Sequence, residues 1–119
     1  MPEPHPNCVP GAEEAVAEER KFTEYLLNDD HPIGRGKAKW FKRAGYTTDN
    51  WRELRSGFLT QLPYVESWFV RENVAGGLNY EAQITVAAPN GEIQVRTFWE
   101  VHPESGTRLI TAYRLDLDE

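Results

Sequence analysis

The sequence predicts an α+β domain in which two or three N-terminal helices pack on one face of an antiparallel β-meander of three to four strands. Three observations predict it. Apolar residues recur at helical spacing as far as Pro63, beyond Pro63 the period changes to two, and turns rich in Gly, Pro and Asn punctuate the second half. Helices followed by hairpin-linked strands bury their apolar stripes by laying the helices on one sheet face. With 119 residues the chain is long enough for one well-packed core and too short for two.

Residues 1–12 contain four prolines and read as a flexible tail ahead of a single domain spanning 13–119. From Glu13 to Asn28 the composition favours a helix, with Phe22, Tyr25 and Leu26 as an i, i+3, i+4 contact row and Val16 on the same stripe. Asn28-Asp29-Asp30 stops it, and His31-Pro32-Ile33-Gly34-Arg35-Gly36 reads as a turn. A second helix over 37–44 turns Trp40, Phe41 and Ala44 inward and ends at Gly45. Asn50 and Glu53 have the spacing of a capping box for a third helix, whose apolar face is Trp51, Leu54, Phe58, Leu59 and Leu62.

Residues 64–75 permit a strand through Trp68, Val70 and Val74. Tyr80, Ala82, Ile84 and Val86 alternate with polar residues, as a strand with one buried face requires. Pro89-Asn90-Gly91 turns the chain into Ile93, Val95, Thr97, Trp99 and Val101, and Pro103-Glu104-Ser105-Gly106 turns it again. In the last strand, strict alternation places Leu109, Thr111, Tyr113 and Leu115 on one face and Arg108, Ile110, Ala112 and Arg114 on the other.

Charge is unevenly distributed. Residues 1–34 carry a net −6, 35–55 a net +5 and 56–119 a net −5, for a total of −6. An acidic chain is unsuited to gripping duplex nucleic acid by general phosphate neutralisation, but the basic island leaves room for a local anion site. One cysteine, Cys8, excludes an internal disulfide framework or CxxC pair, and scattered His5, His31 and His102 offer no metal-ligand spacing. Neither a bilayer-length apolar run nor the features of a signal peptide appear, so the expectation is a cytoplasmic protein with no membrane contact and no cofactor.

Two candidate sites emerge. His31, Arg35 and Lys37 surround Gly34 and Gly36 ahead of a helix, where glycines allow close approach and lysine adds charge for an anion. It is no Walker A loop, since His31 stands where the first glycine is needed and Ala38 follows the lysine. The plainer alternative is a sharp turn. The second candidate joins Arg96 and Thr97 to Thr111 and Tyr113 across adjacent strands, with Tyr113 or His31 as a proton donor. A cross-strand Thr–Thr pair inside the core-facing rows explains Thr97 equally simply.

Tyr25-Leu26-Leu27-Asn28, His31-Pro32, Gly36-Lys37-Ala38 with Phe41, Pro89-Asn90-Gly91, Val95-Arg96-Thr97 with Trp99, and Arg108-Leu109 with Thr111-Ala112-Tyr113 together resemble a bacterial domain-of-unknown-function family, number 6883. The layout is similar to the barnase, EndoU, colicin and RelE group of compact ribonuclease toxins. That resemblance implies metal-independent RNA cleavage with His31, Lys37, Arg96, Thr111 and Tyr113 as the catalytic set, and Arg35 and Lys39 as substrate contacts. The competing expectation is a non-catalytic immunity or antitoxin-like protein that covers a cognate basic partner with its acidic faces.

Overall fold

A computed structural model of the chain describes residues 3–32 and 35–115. Helices α1 (Glu19–Lys21), α2 (Arg35–Ala44) and α3 (Trp51–Gln61) precede strands β1 (Ser67–Glu72), β2 (Leu78–Ala88), β3 (Gly91–His102) and β4 (Gly106–Arg114). The strands form one antiparallel sheet in the order β1-β2-β3-β4, which is the expected α+β meander with the ambiguous 64–75 segment supplying its first strand. No helix among the described residues is long and apolar enough to cross a membrane.

One sheet face is dry. Ile84, Val95, Thr97, Trp99, Leu109 and Ala112 are all buried there against Phe22, Leu26, Phe41, Leu54, Phe58 and Leu62. Phe22 anchors the helical layer, its ring centroid 5.9 Å from that of Trp51 and 6.1 Å from that of Phe58. Helix α3 lies so close on β2 that a Cβ at Gly57 would stand 2.9 Å from Val86 Cγ1. The expected C-cap of α2 is present: Gly45, at φ 104°, donates to Lys42 O while Tyr46 N donates to Phe41 O, the paired bonds of a Schellman ending.

Four expectations are corrected. The helix foreseen over 13–28 is shorter and broken. A 3-10 turn at Ala12–Glu14 gives way to extended chain at Val16, whose N–H donates to Thr107 O and whose carbonyl accepts from Leu109 N, each at 2.9 Å. The open edge of β4 offers unpaired backbone groups, and satisfying them outweighs the modest helix propensity of a single segment. Only Glu19 onward is helical, and the helix continues as a π turn over Phe22–Leu26, closed by Leu27 N donating to Phe22 O at 2.8 Å.

Nor do residues 3–12 form a flexible tail. His5 N donates to Pro63 O at 2.8 Å, Ser67 N to Asn7 O at 2.9 Å, and Val9 is wholly buried. Proline-rich chain cannot donate a ladder of hydrogen bonds, but its carbonyls still accept them, and Val9 contributes an apolar anchor. Asn50 makes no capping box with Glu53, because its side chain is taken up locally: Oδ1 accepts from Thr47 N at 2.7 Å and Nδ2 donates to Gly45 O at 2.9 Å.

The fourth correction matters most for function. Strand β4 carries a bulge: Trp99 pairs with Leu109 but Phe98 pairs with Thr111, leaving Ile110 as the extra residue. Alternation restarts after it, so Leu109 and Ala112 share the dry face while Thr111 and Tyr113 lie opposite Phe98 and Arg96 on the other. Thr111 and Thr97 therefore occupy different faces.

Candidate functional site

Thr97 is wholly buried and structural. Its hydroxyl donates to Ala82 O at 2.6 Å and accepts from Trp99 Nε1 at 2.8 Å, so both polar atoms are satisfied inside the core. On the opposite face the polar side chains meet one another in partial contact with water. Phe98 and Tyr113 stack edge to face at 5.5 Å, and the Arg96 guanidinium carbon lies 5.5 Å from the Phe98 centroid.

Arg96 is also held by a carboxylate. Its Nε and Nη2 donate to the two oxygens of Glu81 at 2.8 and 3.3 Å, and Glu81 is only 6% exposed. A forked pair of this kind fixes the guanidinium in direction and neutralises the buried acid. Arg96 thus props the face rather than presenting an uncommitted cation to a ligand.

The edge of β4 is where helical residues join this face. The π turn projects Tyr25 so that its hydroxyl shares a 3.2 Å hydrogen bond with Thr111 Oγ1. The His31 ring meets Tyr25 edge-on at 5.1 Å, and His31 O accepts from Arg35 N at 3.0 Å, tying the histidine to the start of α2. One turn into α2, the Lys37 ammonium sits 4.5 Å from the Tyr113 centroid and 5.2 Å from that of Tyr25. Cation–π attraction holds it there, between two phenols.

The cluster perturbs a proton. Burial pushes the Tyr25 phenol up, but the hydrogen bonds from Thr111 and Lys37 and the positive charges of Lys37 and Lys21 together bring it below the ordinary phenol value. A depressed phenol beside a histidine and an ammonium has the ingredients of proton transfer next to an anion.

A cleft of about 380 Å³ opens beside Lys37, walled by Trp40, Phe41 and Arg43 from α2 and by Ala112, Tyr113 and Arg114 from β4. Gly36 also lines it, and a Cβ at Gly36 would meet no described residue within 4 Å. Three cations converge on this cleft in a chain whose net charge is −6.

The residues foreseen from sequence divide three ways. His31, Lys37, Thr111 and Tyr113 are linked through Tyr25 into one contact chain, and Arg96 joins through Phe98. Arg35 and Lys39 stand exposed on α2. The turn expected over 31–36 falls partly on Ile33 and Gly34, which lie outside the described residues, and its last two residues, Arg35 and Gly36, belong instead to α2, which begins two residues before the expected start. Sequence reading missed Tyr25, which its helical spacing assigned to the core, and Glu81, although an acid in the middle of an alternating strand is itself a signal. No cluster of three or more His, Cys, Asp and Glu side chains suited to a metal ion occurs among the described residues.

Comparison with known proteins gives one family. The family described as a domain of unknown function (DUF6883) matches residues 8–116, which takes in the helices and all four strands. No curated protein and no solved structure matches the chain.

Proposed function

The chain belongs to the DUF6883 family, and from that premise we propose that it is a toxin-like ribonuclease domain of a bacterial conflict system, acting on cytoplasmic RNA without a metal ion. The observation that carries the reading is the Lys37 ammonium, held between the rings of Tyr25 and Tyr113 at the mouth of a cationic cleft. A phosphodiester placed there has its non-bridging oxygens beside Lys37, with Arg43 and Arg114 for flanking phosphates. His31 removes the proton of the 2′-hydroxyl, whose oxygen attacks phosphorus. The bond from phosphorus to the 5′-oxygen breaks, and the leaving oxygen takes a proton from the Tyr25 hydroxyl, leaving a 2′,3′-cyclic phosphate and a 5′-hydroxyl. Thr111 orients Tyr25 through their shared hydrogen bond, Tyr113 confines Lys37, and Arg96 supports Phe98 beneath Tyr113.

Incubating the purified protein with total RNA in EDTA, beside Lys37→Ala, tests this. Cleavage ending in cyclic phosphates, reduced 100-fold or more in the variant, is the expected result, since a fixed cation at the transferring phosphate contributes on that scale. Wild-type protein that leaves every RNA intact overturns it.

A second reading has its own observation. Edge strand β1 exposes Trp68, Phe69 and Val70 at 42, 54 and 44%, an apolar row suited to a protein partner. On that reading the domain is an immunity or antitoxin-like binder. Harmless high-level expression in a bacterial host favours it, whereas growth arrest relieved by His31→Ala favours the ribonuclease.

A further inference from the structure

Trp40 borders two depressions. One is the cationic cleft of about 380 Å³; the other, of about 360 Å³, is formed by Trp40 with Glu92, Ile93 and Gln94 of β3 and with Leu115. The indole meets the buried ring of Phe41 edge-on at 4.9 Å, so Trp40 is a positioned wall.

The two depressions differ in charge. Lys37, Arg43 and Arg114 line the first, and its aromatic walls are Trp40, Phe41 and Tyr113. An exposed acid and an exposed amide, Glu92 and Gln94, line the second beside the apolar Ile93. A phosphate is attracted to the first and repelled from the second. A base edge carrying N–H donors suits the second, because Glu92 accepts and Gln94 both accepts and donates.

We propose that Trp40 is the shared stacking platform of a two-subsite groove that holds successive nucleotides of single-stranded RNA. The phosphate and one base occupy the cleft beside Lys37, and the neighbouring base occupies the depression read by Glu92 and Gln94. Each depression falls within the size range of small-ligand pockets, and stacking on an aromatic with cations tracking the backbone is how single strands are generally held. This assignment rests on the ribonuclease reading of the adjoining cluster and specifies its substrate as unpaired RNA with a base preference on one side of the scissile phosphate.

The test uses fluorescein-labelled 2′-fluoro oligonucleotides of four nucleotides, which lack the attacking hydroxyl, with binding followed by anisotropy in EDTA. Wild type is expected to bind and to rank tetranucleotides by sequence. Trp40→Ala should weaken binding about tenfold and Trp40→Phe should recover most of it. Because Trp40 is half-buried, a second variant, Glu92→Lys, changes only an exposed strand residue and should erase the sequence ranking while keeping affinity within about threefold. Trp40→Ala binding within twofold of wild type, a ranking unchanged in Glu92→Lys, or no binding by wild type each overturns the groove. Cleavage of ordinary RNA is scored separately: binding as described without cleavage sinks the ribonuclease and keeps the groove, and cleavage unaffected in Trp40→Ala does the reverse.

Discussion

Phe98 and Trp99 are consecutive in β3 and face two different environments. Trp99 points among buried apolar side chains with its indole N–H bonded to Thr97, while Phe98 points to the side where Arg96, Tyr113 and the Lys37 cluster meet. The same contrast separates Thr97 from Thr111 and Tyr46 from Tyr25. On the dry face Thr97 and Trp99 satisfy each other and Ala82 O, and nothing in that pair is left for chemistry. On the other face the polar groups hold one another in a half-solvated row that a ligand can enter.

Three substitution pairs test that contrast, beginning with the largest effect. Trp99→Ala should cost about 3–5 kcal/mol, because it opens a cavity in the core, whereas Phe98→Ala should cost about 1 kcal/mol. Equal midpoint shifts in urea for the two would contradict the assignment of faces. Next, Thr97→Val strands the Trp99 N–H inside the core and should cost about 1–3 kcal/mol, against about 0.5 kcal/mol or less for Thr111→Val. Thermal melts of the two valine variants check this, and a Thr111→Val protein as unstable as Thr97→Val would refute it.

The smallest effect is in the tyrosine titration. Tyr25 lies below the ordinary phenol value, although burial opposes this, because Thr111, Lys37 and Lys21 favour its phenolate. Tyr46 is raised, first by burial and then by the charge of Glu53. A phenol depressed in the folded state adds stability that is present above the unfolded tyrosine pKa and is lost as pH falls through the folded one. A raised phenol adds stability that is present below the unfolded pKa and is lost as pH rises through the folded one. Tyr25→Phe should therefore hasten alkaline unfolding and Tyr46→Phe delay it, and only Tyr25→Phe should remove the earliest phenolate absorbance. The opposite order would place the perturbing charges elsewhere.

Much of the fold was readable. The change from helical to two-residue periodicity at Pro63, the turns at Pro89-Asn90 and Pro103 to Gly106, and the Gly45 ending are local properties of side-chain order and backbone freedom. His31 and Lys37 were readable as a cationic, glycine-flanked segment, although Lys37 lies within α2. Tyr25 was not, because a residue in a helical contact row looks the same whether its hydroxyl ends in the core or at Thr111. The bulge at Ile110 was equally hidden: a single unpaired residue leaves composition and alternation almost unchanged, and it reverses the face of everything after it.

The sequence by itself thus determined the α+β class, the meander and the basic character of the segment that forms α2, since these follow from periodicity, turn chemistry and charge along the chain. Tertiary structure alone decided which residues meet. The edge of β4 captures Val16 and delays the start of the first helix to Glu19, and the π turn swings Tyr25 toward that strand. The bulge sends Thr111 and Tyr113 to meet Tyr25 and Lys37. The Val16 bonds, the β3–β4 register and the Tyr25–Thr111 and Lys37–Tyr113 contacts all join residues far apart in the chain, and no local pattern records such a contact.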